Sequence, residues 1–325
     1  MAHNINDNRM MYVGEKPWHG LGVELKNPAT SREAIMAARL DYEVTREHLV
    51  SLESGVKIHP EMCLIRTDTK DKLGIVTEKY KIIQNVDAFD FFDNVVGEKK
   101  AIYHTAGALG LGERIWILAK LPDNMMVKKD VIEKYLLLTN SHDGKSALKM
   151  YFTPVRVVCQ NTLIMSLHDA SSGISIRHKG NIQAKVEEAQ RVLNIATVFY
   201  SDFEKIGGRF ASTKMNVANT TLYFNQVLGI DPNKPDDDNS TRSKNIRDDL
   251  FCLFERGKGN DGIDVRHSLW TAYNAVTEYT DHHRTIKNED KDKSLRLDSI
   301  WFGTGAKLKE KAYDIGLQFA GISKN

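Results

Sequence analysis

Between about residues 60 and 160 the apolar residues of this chain come in short runs, adjacent in pairs and parted by turn-forming residues. Met62–Arg66 and Leu73–Thr77 flank a polar turn around Thr69–Lys72. Ala101–Thr105 and Arg114–Lys120 flank a glycine-rich stretch, and Tyr135–Thr139 and Ala147–Phe152 flank Asp143-Gly144. Asp-Gly between two such runs is a strong hairpin signal, because glycine tolerates the positive φ of a tight turn. Strands that arrive in pairs, rather than alternating with helices, predict an antiparallel sheet and argue against a doubly wound parallel one. A short helix over Ala34–Leu40 behind the capping pair Thr30-Ser31, and an amphipathic one over Val86–Val96, are the helical segments predicted before residue 160.

Beyond the paired strands the period changes. Ile182, Val186, Ala189, Leu193, Ala196, Tyr200 and Phe203 recur at spacings of four and three, which predicts a long helix from about Ile182 to Ile206, with Gly207-Gly208 as its stop. Such a stripe either lies on the sheet or forms a seam between subunits. Asp231–Arg242 carries two prolines and an acidic run and reads as a linker or surface loop. Helical patterns return over Arg266–His282 and Lys307–Phe319. The predicted class is therefore α+β: an antiparallel β-hairpin sheet packed by a long helix, with a helical C-terminal part. Residues 1–230 form the core domain (hairpins 60–160, long helix 182–206), 231–245 the linker or loop, and 246–325 the helical region.

Composition bounds the function without choosing it. Of 325 residues 41% are hydrophobic and 27% charged, as in ordinary soluble domains. A net charge of +2 permits a nucleic-acid partner without demanding one. Cys63, Cys159 and Cys252 are odd in number and far apart, so neither a disulfide framework nor a C-x-x-C metal pair is expected. The polar start and the lack of an apolar run of roughly 20 residues predict no secretory signal and no membrane span, hence a cytoplasmic location.

Several motifs invite chemical readings. Gly107–Gly112 has the glycines of a phosphate cradle, but the next segment is strand-like where a helix is required, so a hairpin tip is expected. Gly303–Lys307 opens a helix with Lys309 and Lys311 behind it, a better geometry for phosphate. Ser141-His-Asp143 carries the residue types of a triad, yet turn chemistry explains them without catalysis. Asp281-His-His283 offers ligand types, but adjacent helical histidines point about 100° apart. No catalytic residue, metal site or cofactor is expected. Cations gather instead in the stretch Arg156, Arg177, His178, Lys179, Lys185 and Arg191, with Asn161 as an amide donor; Lys307 adds a further cation at its own helix start. Cations and amides near a helix start suit a phosphate backbone, and Tyr151 or Phe152 could stack on bases, although only one of two strand neighbours can face outward.

Pro17–Gly20, Tyr80–Asn85, Asn140–Gly144, Thr153–Leu163, Arg177-His178 and Asn274–Tyr279 together resemble the signature of phage/plasmid-like proteins that carry domain of unknown function 932. The resemblance implies a mobile-element setting and brings no catalytic residues with it. At the level of fold, paired strands followed by a long helix are also similar to phage single-strand annealing proteins of the RecT/Erf type, which hold single-stranded DNA in a basic groove as rings or filaments. The function expected is thus a non-enzymatic single-stranded nucleic-acid-binding protein of a mobile element. Its partners would be single-stranded DNA or RNA and further copies of itself. The alternative is a protein-binding module, such as an inhibitor of a host defence system.

Overall fold

The computed structural model of the chain describes residues 10–14, 22–27, 29–97, 101–144, 148–156, 161–162, 174–175, 182–231, 241–289 and 294–323. The predicted hairpins are present. β4 (Lys57–Arg66) pairs antiparallel with β5 (Lys72–Thr77), β6 (Ile102–Leu109) with β7 (Arg114–Lys120), and β9 (Asp130–Ser141) with β10 (Lys149–Arg156). They do not form one sheet. β4 and β5 join β3 (Val44–Val50) in a separate three-stranded sheet, β3-β4-β5.

The larger sheet runs β11 (Asn161–Thr162), β10, β9, β7, β6, β1 (Met10–Val13) and β2 (Val23–Leu25). The short strands β12 (Ile174–Ser175) and β8 (Met125–Val127) are added on β10 and β9. Its pairs are antiparallel except β1 with β2.

Alternation of side chains across the strands gives the larger sheet two covered faces. On one lie α1 (Ser31–Ala37), α2 (Asn85–Gly97) and α3 (Ile182–Ser212). α1 is closed by the expected cap: Thr30 accepts from the Glu33 amide while Glu33 reaches back to the Thr30 amide. From Val192 on, the apolar face of α3 is spent inside the molecule. Val192, Ala196, Phe199, Tyr200 and Phe203 are buried, Phe199 and Tyr200 against Phe152, and the Tyr200 hydroxyl bonds both backbone groups of Tyr135. From Leu193 to Phe203 the stripe lies on the sheet; the side chains of Ile182, Val186 and Ala189 are outside the described residues. Gly207-Gly208 does not stop the helix, which continues to Ser212. A Cβ at Gly207 would stand 2.6 Å from Val127, so this glycine marks where α3 approaches β8.

The remaining elements are helical: α4 (Val217–Leu228), α5 (Thr241–Arg256), α6 (Leu269–Glu278) running into a π turn at Tyr279–His283, α7 (Ser294–Trp301) and α8 (Thr304–Phe319). α5 begins at Thr241, so the last residues of the expected linker, 241–245, are helical; residues 232–240 lie outside the described part. One apolar core runs from Met11 through the sheet and α3 to Leu317 and Ala320. A second, smaller one covers the other sheet face, where Trp116, Leu118, Tyr135 and Leu137 meet Leu297, Ile300 and Trp301 of α7. No helix among the described residues is long and apolar enough to cross a membrane.

Candidate functional site

Three polar assemblies and one half-exposed aromatic corner carry the residues singled out by sequence. The first assembly begins at Arg156. Its side chain is fully buried, its Nε donates to Asp130, and its two terminal nitrogens donate to the carbonyls of Lys258 (2.9 Å) and Gly259 (2.8 Å) and to Asn260 Oδ1 (3.1 Å). Trp270 Nε1 donates to the same Asp130 carboxylate at 2.8 Å. A guanidinium enclosed this way leaves no face for a phosphate. The expectation that Arg156 belongs to an exposed basic rim is corrected: it clamps the end of β10 to the 258–260 loop. Glu278 lies beside this loop, accepting from the Lys258 amide at 3.1 Å, and burial raises its carboxyl above the usual range.

The second assembly starts one strand later. β11 pairs back on β10 and places Thr162 against the π turn. The Thr162 amide and hydroxyl both donate to Asp281 Oδ2 (2.8 and 2.7 Å). Lys309 of α8 donates to Asp281 Oδ1 at 2.8 Å and to the Thr162 hydroxyl. Both ionic side chains are almost completely buried. Burial lowers the Lys309 ammonium from its ordinary range, against the pull of Asp281. Arg296 closes the far side: it donates to the carbonyls of Asp281 (3.1 Å) and Arg284 (2.9 Å) and is paired with Glu289. Asp281-His-His283 is therefore not a ligand cluster, since its aspartate is consumed internally. Among the described residues no group of three or more His, Cys, Asp or Glu side chains is placed to hold a metal ion.

The third assembly joins the two sheets. The Tyr80 hydroxyl donates to the Ser141 carbonyl (2.9 Å), Asn140 Nδ2 donates to the Ile83 carbonyl (2.8 Å), and His142 Nε2 meets Asn85 Oδ1 at 2.8 Å. Thus Tyr80–Asn85 and Asn140–Gly144, about sixty residues apart, are one contact. His142 is buried and its pKa is pushed down to about 4 by desolvation, so the ring is neutral at pH 7. Ser141 bonds Asp143 while His142 turns to Asn85, which is a turn and not a triad. The glycine-rich tip is held by the same junction. Tyr42 donates to the Gly112 carbonyl (2.9 Å), and Arg66, stacked 3.7 Å over the Tyr42 ring, donates to the Leu111 carbonyl (2.8 Å).

The aromatic corner lies on the face of the larger sheet that α7 covers only in part. Phe152 points into the α3 side and is buried; Tyr151 points the other way and is half-buried, its ring 6.0 Å from Phe302. The Arg114 guanidinium lies 4.7 Å over Phe302 and is paired with Asp298 at 3.0 Å. Phe302 leads through Gly303 into α8, whose start has no side-chain cap and whose first turn exposes Lys307. Gly303 and Gly305 are needed for packing, because a Cβ at either would stand 3.0 Å or less from the Ser299 backbone.

Of the remaining predicted residues, Arg191 is half-exposed and hydrogen-bonded to Glu188 (2.9 and 2.7 Å), which offsets its charge. Asn161 contributes its backbone to β11. Arg177, His178 and Lys179 lie outside the described residues, as do the side chains of Asn161 and Lys185, and Pro17–Gly20. Sequence reasoning missed Asp130 as the partner of Arg156, Thr162, Asp281 and Lys309 as a connected set, and Arg114 and Phe302 as neighbours of Tyr151.

The family model for "Domain of unknown function (DUF932)" matches residues 72–301, more than half of the chain. The chain belongs to the DUF932 family. The matched region contains Tyr80–Asn85 and Asn140–Gly144 of the sheet junction, the Arg156 clamp, Thr162 and Asp281, whereas Tyr42 and Arg66 precede it and α8 with Lys307 and Lys309 follows it. No curated protein and no solved structure matches the chain significantly.

Proposed function

We propose that this DUF932 protein is a non-enzymatic binder of single-stranded nucleic acid, encoded by a phage or plasmid and acting in the host cytoplasm. The observation that carries the reading is the corner formed by Tyr151, Phe302 and Arg114, with Lys307 exposed in the first turn of the helix that follows Phe302. Two half-exposed rings with a guanidinium over one of them suit stacking of unpaired bases, and base–aromatic stacking contributes about 1–3 kcal/mol per base. An exposed lysine in the first turn of an uncapped helix suits the phosphate that follows. Duplex recognition is disfavoured because stacking requires splayed bases.

Fluorescence anisotropy with labelled single-stranded DNA and RNA, in a salt series, tests the proposal. Micromolar or tighter binding that weakens steeply with salt is expected. Tyr151→Ala should weaken it about tenfold and Tyr151→Phe should not, while Lys307→Ala should flatten the salt slope by about one. Absence of binding at low salt would sink the proposal. The mass of the assembly with and without DNA then tells whether binding builds rings or filaments.

A second reading, a module that docks on a host protein, has its own observation. The outer end of the β3–β4 hairpin exposes Val50, Leu52, Val56 and Ile58, with Leu52 wholly in solvent. Exposed apolar clusters of this kind mark contact surfaces. Stoichiometric co-purification of a host protein, lost on changing Leu52 and Val56 to Ser and accompanied by no DNA affinity, would favour it.

A further inference from the structure

The Arg156 clamp has a second side. The turn between β8 and β9 and the loop 257–265 together line a cleft of about 500 Å³ that opens to solvent. Lys129 and Asp264, one from each segment, are ion-paired at 3.1 Å. Val131, Ile263 and Val265 make the lining mostly apolar, and Ile263 is 87% exposed. Gly259, at a φ of +73°, and Gly262 bring bare peptide units to the same lining. The loop is held in place: Arg156 takes the carbonyls of Lys258 and Gly259, and fully buried Asn260 donates to the Leu253 carbonyl at 2.9 Å. The polar group inside is Asp130. Its side chain is only 8% exposed, and its Oδ2 accepts from both Arg156 Nε and Trp270 Nε1. Oδ1 accepts from no described residue and is not sealed from solvent; the cleft that Asp130 lines leads to it.

We propose that this cleft binds an amino-bearing nucleobase, with Asp130 Oδ1 accepting from the exocyclic amino group. Apolar walls around one convergent polar group are the build of small-molecule sites, whose volumes run from roughly 300 to 1,000 Å³. A flat ring can lie closely on glycine peptide units, which carry no Cβ, and the aliphatic side chains suit its other face. The open atom is a carboxylate oxygen, so the ligand must bring an N–H or O–H. Charge narrows the class. Arg156 offsets Asp130 and Lys129 offsets Asp264, so no net charge is left to hold an ammonium, and the two carboxylates disfavour a phosphate. A neutral heterocycle with an amino group meets all three demands. Such a base is available from a free nucleoside or from an unpaired strand. The cleft does not depend on the proposed function, since no residue of the Tyr151 corner lines it.

The test is an NMR titration of the full chain, isotope-labelled at tryptophan, with adenosine and cytidine and with purine riboside and pyrimidinone riboside, which lack only the amino group. At least one amino nucleoside should shift the Trp270 indole N–H resonance, assigned by Trp270→Phe, because that N–H donates to the Asp130 carboxylate. It should bind about tenfold tighter than its counterpart without the amino group. Asp130→Asn keeps the shape but presents an amide donor to the cleft, and should abolish that preference. The change also strips buried Arg156 of its counter-charge and lowers stability. Ile263→Ala, at an exposed position, gives an independent arm: binding about fivefold weaker with unchanged melting. No shift with either amino nucleoside at several millimolar, equal binding with and without the amino group, or affinity unchanged in Ile263→Ala overturns the proposal. Oligo-dA and oligo-dC added in competition separate the sources. Displacement of the nucleoside assigns the base of a strand, and a nucleoside left undisturbed assigns the free ligand. DNA binding without any nucleoside effect removes the cleft alone; a nucleoside effect without DNA binding removes the nucleic-acid reading alone.

Discussion

His142, Arg156 and Lys309 are interior polar residues whose partners come from distant parts of the chain. For the two cations, fixed partners are what make burial tolerable. Removing one member of such a pair leaves an uncompensated charge and costs about 3–5 kcal/mol, whereas the pair as a whole contributes little net stability. The three therefore specify which segments meet more than they strengthen the fold. His142 gives this a measurable sign. Its folded pKa of about 4 lies below the ordinary 6.5, so the unfolded chain binds a proton first as the pH falls. The stability held by the neutral ring is fully present above pH 6.5 and is lost progressively down to about pH 4. The full loss is about 3 kcal/mol at 1.36 kcal/mol per unit. Glu278, raised by burial, acts with the opposite sign and blunts the fall. Urea unfolding at intervals between pH 7 and pH 4.5 should show wild-type stability falling with acid, and His142→Gln should flatten that limb. An unchanged slope in the variant would mean that other groups set it.

At the scale of elements, the two sheets meet in a close backbone contact. Gly74 of β5 lies under the Asp143 turn so closely that a Cβ would stand 2.7 Å from the Asp143 Cα, a backbone atom that cannot step aside cheaply. Gly74→Ala should destabilise by about 1–3 kcal/mol, seen as a lower midpoint with unchanged m-value. Gly144→Ala adds strain of a second kind, because Gly144 holds a φ of +76°. The individual hairpins were legible in the sequence since their signals are local: alternation within each run and Asp143-Gly144 between two of them. Their division into two sheets was not, for nothing local says that β4 will pair with Val44–Val50 and not with β6. Gly207-Gly208 misled for a related reason. A glycine that lets a helix approach a strand looks the same, in sequence, as one that ends the helix.

At the scale of the whole molecule, the signature segment fastens the two halves of the chain to each other. Charged residues default to the surface, so the burial of Arg156, Asp281 and Lys309 was not readable from their types. Lys309 alone left a trace: it falls on the stripe Gly305, Lys309, Ala312, Gly316, all buried, at helical spacing. The pairing of Thr162 with Asp281, 119 residues away, left none. A chain ending after Leu228 should fail to fold, since Arg156 would face solvent-exposed core without residues 258–260, and Thr162 would lack its acceptor. Poor dispersion in its NMR spectrum and rapid proteolysis are expected, and a compact, protease-resistant fragment would contradict this.

The order in which the chain leaves the ribosome gives the Lys309–Asp281–Thr162 contact a further meaning. Thr162 emerges some 150 residues before Lys309, a delay of about ten to thirty seconds at ordinary translation rates. Throughout that interval the sheet can be built but not locked, and its unclosed edge is open to chaperones or to another nascent copy on the same message. α8, made long after the strand it locks, is the helix that ends the exposure.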